Sequence, residues 1–158
     1  MKTTIFFFAM LSLLVCLMFT GCSNSETNST SRGLTDFAHI EEEYLATIDS
    51  LNWPDGIALP DKLEDEDTGA SFQVGYGETR ASYLWEYSWM KEWLDTYNTD
   101  PERAEKALEE LEKAFDMPYM GIDRCDDATR NYLRENIDKA KLGDPSGFTE
   151  SIRANYAN

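Results

Sequence analysis

The sequence reads ASYLWEYSWMKEWLDTY over residues 81–97, and this stretch decides the fold. Placed at 100° per residue of an α-helix, its aromatic and aliphatic side chains fill an arc of roughly 200°. One edge of that arc consists of Trp85, Trp89 and Trp93. Because one packing face needs a narrower arc, we predict a central helix over residues 78–97, with neighbours on more than one side.

Four further segments have the apolar spacing of amphipathic helices. They cover residues 36–51, residues 100 to Pro118, residues 126 to Gly143, and residues 145 onward. Asp100 followed by Pro101 is typical of a helix start, since the first can cap the helix and the second suits its first turn. The sequence therefore predicts a mainly α fold, a small bundle of about five helices.

The segment between the first two helices, residues 52–77, is rich in proline and glycine and predicts a long irregular loop. We expect Trp53 and Phe72 to plug the helical core from this loop. Residues 71–74 could form a short extended segment.

The amino terminus has the pattern of a secretion signal. Lys2 is followed by an apolar run over residues 5–19, about 15 residues long and shorter than the roughly 20 that span a bilayer. The run ends in Phe19-Thr20-Gly21-Cys22, which resembles the lipobox of bacterial lipoproteins, although leucine is commoner than phenylalanine at its first position. An uncleaved membrane anchor is the alternative.

The lipobox resemblance implies that residues 1–21 are removed and that the Cys22 thiol carries a diacylglycerol. Residues 22–32 have no apolar residue after Cys22 and predict a flexible tether, followed by an acidic helical domain over residues 33–158. The expected location is a lipid anchor in the bacterial cell membrane, with the domain outside the cytoplasm. Membrane lipid would then be a partner through acylated Cys22.

The chain carries 14 basic and 30 acidic residues, a net charge of −16. This excludes a nucleic-acid partner, because binding one requires a basic surface. The charge is typical of a soluble surface protein, and the alternative is a basic partner or cations. A protein or small-molecule ligand in the envelope is the expected partner of the domain.

Glu86 interrupts the apolar arc of the central helix, where a carboxylate must be paired, hydrogen-bonded or protonated. We expect tyrosine hydroxyls, Arg130 or Arg134 as its partners. In one interpretation Glu86 is a structural residue of the core or the rim. In the other it lines a ligand-binding pocket walled by the three tryptophans, Trp85, Trp89 and Trp93.

The remaining chemistry-bearing residues predict no catalytic centre. His39 lies opposite the apolar stripe of its helix and should be solvated, and Cys125 has no partner for a disulfide once Cys16 and Cys22 are used. We expect Cys125 to be a half-buried residue with a pKa raised by its acidic neighbours. The acidic residues 61–69 do not fit an EF-hand loop, and no metal or cofactor is expected.

The expected function is therefore that of a membrane-tethered lipoprotein with a non-catalytic binding or interaction domain. The alternative is an enzyme acting on cell-envelope glycan, with Glu86 as its general acid. A purely structural or immunity-type lipoprotein is a third interpretation that the sequence does not separate from the first.

Overall fold

The computed structural model describes residues 33–64 and 66–156, and their fold is mainly α. In chain order the elements are β1 (Leu34–Thr35), α1 (Phe37–Ser50), β2 (Phe72–Gln73), α2 (Tyr76–Thr96), α3 (Pro101–Glu112), two 3₁₀ turns (Lys113–Asp116 and Pro118–Met120), α4 (Asp127–Lys141) and α5 (Ser146–Asn155). The predicted five-helix organisation, with a long connection between the first two helices, is confirmed. The predicted signal, Cys22 and the tether lie outside the described residues.

Three helices begin at aspartate caps. The carboxylates of Asp36, Asp100 and Asp126 accept hydrogen bonds from the backbone N–H three residues later, at 3.0, 3.2 and 2.8 Å. Each bond satisfies a donor that the first turn of a helix leaves without an intrahelical partner. The predicted starts near these residues are therefore confirmed. The third helix is shorter than predicted, because its chain tightens into the 3₁₀ turns before and after Met117.

The central position predicted for α2 is confirmed, since it packs against α1, α3 and α5. The main core lies between α2, α3, α4 and α5. Its buried residues are Trp85, Trp89, Met90, Trp93, Ala104, Ala107, Leu111, Ala114, Tyr119, Met120, Leu133, Ile137, Ala140 and Phe148. A smaller core joins α1 to the beginning of α2 through Ile40, Tyr44, Ile48, Leu63 and Ala81.

The connection between α1 and α2 is fixed to the helices at several points. Trp53 packs against both cores, as expected, and its indole N–H donates to the Ile48 carbonyl at 2.9 Å. Phe72, the other predicted plug, packs against the smaller core. The short extended segment also forms, and β2 pairs antiparallel with β1.

The amino-terminal end of α2 lies directly against α1. A Cβ built on Gly77 would lie 1.8 Å from the Ile40 carbonyl oxygen, so only glycine fits this approach. Across the same contact, the Glu43 carboxylate accepts hydrogen bonds from the backbone N–H groups of Gly75, at 2.8 and 2.9 Å, and of Gly77, at 3.2 Å. A carboxylate at this end of a helix is stabilised by the helix dipole.

Across residues 33–64 and 66–156, every helix is too short or too polar to cross a bilayer.

Candidate functional site

Glu86 lies on α2 with only 7 % of its surface exposed. Its Oε2 accepts a hydrogen bond from the Tyr119 hydroxyl at 2.8 Å. Among the described residues this hydroxyl is the only hydrogen-bond donor to the carboxyl group. The prediction of a tyrosine partner is confirmed, and the partner comes from the 3₁₀ turn Pro118–Met120.

The two predicted arginine partners are engaged elsewhere. Arg130 donates to the carbonyl oxygens of Met120 and Cys125 and pairs with the Asp127 carboxylate. The guanidinium of Arg134 lies 4.6 Å from the ring centre of Phe115. The expectation that Arg130 or Arg134 pairs with Glu86 is therefore wrong, because Arg130 binds the backbone before α4 and Arg134 packs on Phe115.

Burial raises the pKa of Glu86 from 4.5 to about 7, and the hydrogen bond from Tyr119 acts in the opposite direction. Burial is also the largest cause of the raised pKa values of Tyr83, Tyr119 and Tyr156, and the negative charge of Glu86 is the next. Three phenol groups are thus close enough to Glu86 to be affected by its charge. Near neutral pH they remain protonated while Glu86 itself changes its charge.

Glu86 opens onto a cavity of about 280 Å³. The cavity is lined by Tyr83, Glu86, Met120, Thr129, Tyr132, Leu133, Ser151, Asn155 and Tyr156. Tyr83 and Tyr132 are 43 % and 39 % exposed, so these two rings form its rim and the interior is accessible from solvent. The site combines one buried carboxyl group with aromatic walls, a composition typical of small-ligand sites.

A second cavity, of about 490 Å³, shares Tyr83, Asn155 and Tyr156 with the first. Its other lining residues include Lys62, Glu64 and Arg80, so it is more polar. Because three residues belong to both linings, the two cavities adjoin at the end of α5.

The expected wall of tryptophans is wrong. Trp85, Trp89 and Trp93 are 1 %, 1 % and 2 % exposed, and all three belong to the main core. None of them lines the Glu86 cavity. The tryptophan edge of α2 points toward the loop and the other helices. The tyrosine edge of the same helix is therefore left at the surface.

The buried indoles have structural partners. The N–H groups of Trp85 and Trp89 both donate to the Asn52 carbonyl oxygen, at 2.8 and 3.1 Å. The Trp93 ring stacks on Tyr97 with centroids 4.6 Å apart and meets Phe148 edge-on at 5.4 Å. These contacts explain the three tryptophans as packing residues. Trp85 and Trp89 fasten the loop to α2, and Trp93 packs against Tyr97 and α5.

Cys125 and His39 lie where the sequence predicted. Cys125 is partly buried, and its pKa is raised by burial first, with Asp126 adding to the effect and Arg130 opposing it. The predicted direction of the pKa shift is confirmed, and Asp126 contributes to it, but burial is the larger cause. His39 is exposed, with Nε2 3.4 Å from Glu43. In the described part of the chain, no three His, Cys, Asp or Glu side chains are grouped as metal ligands.

Comparison of the chain with protein-family models, with curated proteins and with solved structures gave no match. The candidate site is therefore defined by the residues of this chain alone. The sequence pointed to Glu86 but not to Tyr132 and Tyr156, which line the cavity, nor to Tyr119, which donates to Glu86 from behind the lining. The only signal for them was the requirement of a buried carboxyl group for hydroxyl partners.

Proposed function

We propose that this protein is a lipid-anchored extracytoplasmic lipoprotein whose helical domain binds a small ligand in the Glu86 cavity. The observation that carries the binding role is a buried, ionisable carboxyl group that faces a solvent-accessible cavity with tyrosine walls. Groups with a strongly raised pKa in a cavity are concentrated at functional sites.

The anchoring part of the proposal rests on Phe19-Thr20-Gly21-Cys22 and the apolar run before it. Two acyl chains on Cys22 would give stable attachment, where one chain is marginal. The polar segment that follows would then hold the domain at the membrane surface without embedding it. The strong negative charge of the chain disfavours direct adhesion of the domain to anionic lipid.

A glycan-cleaving enzyme is the competing function, and one observation favours it. A carboxyl group with a pKa of about 7 suits a general acid. Glycoside cleavage ordinarily requires a second carboxylate about 5–10 Å from the first. Among the described residues that line the cavity, Glu86 is the only carboxylate. We therefore favour ligand binding over catalysis as the function of this cavity.

Acylation is tested by growing cells that produce the full chain with an alkyne-tagged fatty acid and detecting the tag on the protein. We expect labelling of the parent chain and of C125S, and no labelling of C22S. Equal labelling of C22S would contradict the anchoring proposal.

Ligand binding is tested on the full chain in detergent micelles with ¹³C-labelled methionine methyl groups. Met120 lines the cavity, and Met90 lies buried in the main core and is an internal control. We expect at least one of four probes, choline, 3,3-dimethylbutan-1-ol, acetate and glucose, to shift the Met120 signal without shifting Met90. If none does so at millimolar concentration, the cavity is not a small-ligand site. Release of soluble fragments from purified peptidoglycan, lost in E86Q, would instead support the enzyme.

A further inference from the structure

We propose that the ligand of the Glu86 cavity is a small organic cation, an alkylammonium or quaternary ammonium group that pairs with the Glu86 carboxylate. This inference rests on the proposed function, because it names the class of ligand for the same cavity.

The first argument is the missing counter-charge. Within residues 33–64 and 66–156 no lysine or arginine pairs with Glu86, and Tyr119 supplies its one hydrogen bond through Oε2. Removing a carboxylate from water is costly unless a positive charge or several donors compensate. A cationic ligand in the cavity would supply that charge next to the Glu86 carboxylate.

The second argument is the character of the walls. Tyr83, Tyr132 and Tyr156 surround the space in front of Glu86, and the face of a tyrosine ring attracts a cation within about 6 Å of its centre. Their hydroxyl oxygens can also accept hydrogen bonds from an ammonium group. Met120 and Leu133 offer apolar contacts to the methyl or methylene groups of the ligand. An anion would meet the Glu86 carboxylate without a lysine or arginine among the described lining residues, so this cavity would repel it.

The third argument is size and long-range charge. A volume of about 280 Å³ lies just below the ordinary range for ligand sites, so the cavity favours a compact ligand. The net charge of −16 attracts cations toward the surface of the protein and disfavours anions.

The proposal predicts how affinity depends on pH. The described groups whose pKa the charge of Glu86 raises are Tyr83 on α2, Tyr119 on the 3₁₀ turn, Cys125 before α4 and Tyr156 after α5. Tyr132 of α4 also lines the cavity. These four groups stay neutral at neutral pH, and Glu86 alone gains a charge there. Cation affinity should therefore increase with pH below the pKa of Glu86, which is about 7, and level off above it.

The experiment is isothermal titration calorimetry of the full chain in neutral detergent micelles. The probes are choline and 3,3-dimethylbutan-1-ol, which has the same shape with carbon in place of the charged nitrogen. The variants are E86Q and the control E110Q, which alters a carboxylate of equal burial on α3. Glu110 pairs with Lys113 and does not line the cavity.

We expect choline to bind at pH 8 at least tenfold more tightly than its neutral analogue. E86Q should lose at least tenfold in choline affinity, and E110Q should stay within about twofold of the parent chain. In the parent chain, affinity should fall by about tenfold per pH unit below pH 6, which tests the proposal even if E86Q does not fold.

Equal affinity for the two probes, or choline binding that is independent of pH, would overturn the cation assignment. If 3,3-dimethylbutan-1-ol or glucose shifts the Met120 methyl signal and choline does not, the cavity is still a ligand site and only the cation inference fails. If none of the probes shifts Met120, both the inference and the ligand-binding function fail.

Discussion

Gly77 of α2 lies against the carbonyl oxygen of Ile40 in α1, so closely that a Cβ on the glycine would be 1.8 Å from that oxygen. No side-chain rearrangement can relieve this contact, because the obstructing atom belongs to the backbone. We expect G77A to lower the free energy of unfolding by about 3 kcal/mol or more, toward the upper end of the range for overpacked sites. Urea denaturation of the full chain measures the change.

The matched control for this substitution is G69A in the loop. A Cβ at Gly69 would meet only an Asp67 carboxylate oxygen, at 3.4 Å, so G69A should change stability by less than about 0.5 kcal/mol. Similar losses of unfolding free energy in the two variants would show that the close approach of α1 and α2 does not determine stability.

Glu43 stabilises the start of α2 through its hydrogen bonds to the Gly75 and Gly77 N–H groups. E43Q keeps one carbonyl acceptor but removes the negative charge from the helix terminus. We expect a loss of about 1–2 kcal/mol in the free energy of unfolding, since charged acceptors form stronger hydrogen bonds. E42Q, at the exposed neighbouring position, should have almost no effect. A larger loss in E42Q than in E43Q would contradict this role.

The raised pKa of Glu86 makes stability depend on pH. The folded state holds a proton on Glu86 up to pH of about 7, whereas the unfolded chain releases it near 4.5. Between these values the folded state binds more protons, so its stability falls as pH rises. The loss in unfolding free energy that accumulates between these two pH values is roughly 3 kcal/mol.

E86Q removes this pH dependence and keeps an acceptor for Tyr119. We expect E86Q to match the parent chain near pH 4 and to exceed its stability at pH 8, measured as unfolding free energy at each pH. E110Q is the matched control, because Glu110 is equally buried but pairs with Lys113 outside the cavity. A constant difference between E86Q and the parent from pH 4 to pH 8 would show that Glu86 does not titrate in this range.

Y119F removes the hydroxyl that donates a hydrogen bond to Glu86 and stabilises its ionised form. The pKa of Glu86 should therefore rise above its value of about 7 in the parent chain. Carboxyl ¹³C chemical shifts of labelled glutamate, with the Glu86 signal assigned from its loss in E86Q, give the midpoint. Y132F is the control, since Tyr132 lines the same cavity without donating to Glu86. An unchanged or lower midpoint in Y119F would be inconsistent with the hydrogen bond.

Most of the helical fold could be predicted from the sequence because its determinants are local. Apolar spacing, the aspartate caps and the prolines act within a few residues, and they mark the five helices without knowledge of tertiary contacts. The contact of Gly77 with Ile40, and the role of Glu43 at the start of α2, join positions more than thirty residues apart. No periodicity in either segment encodes such a contact.

Only part of the candidate site could be predicted, because its other residues also depend on tertiary contacts. The wide apolar arc of α2 showed that Glu86 needs partners, but periodicity does not reveal which edge of the arc the neighbouring helices cover. Tryptophans suggested a binding wall, and packing placed them in the core instead. Tyr119, which completes the site, lies in a 3₁₀ turn that has no helical pattern to place it beside Glu86.

The Asn52 carbonyl oxygen accepts an indole N–H from each of two tryptophans one helical turn apart. Both of its lone pairs are therefore engaged, and the beginning of the connection cannot slide along α2 without losing two bonds at once. At its other end, Glu43 holds the connection by the backbone of Gly75. The amides of α1, the connection and α2 should consequently exchange with solvent deuterium as one cooperative unit, so that the connection opens together with the two helices and not before them.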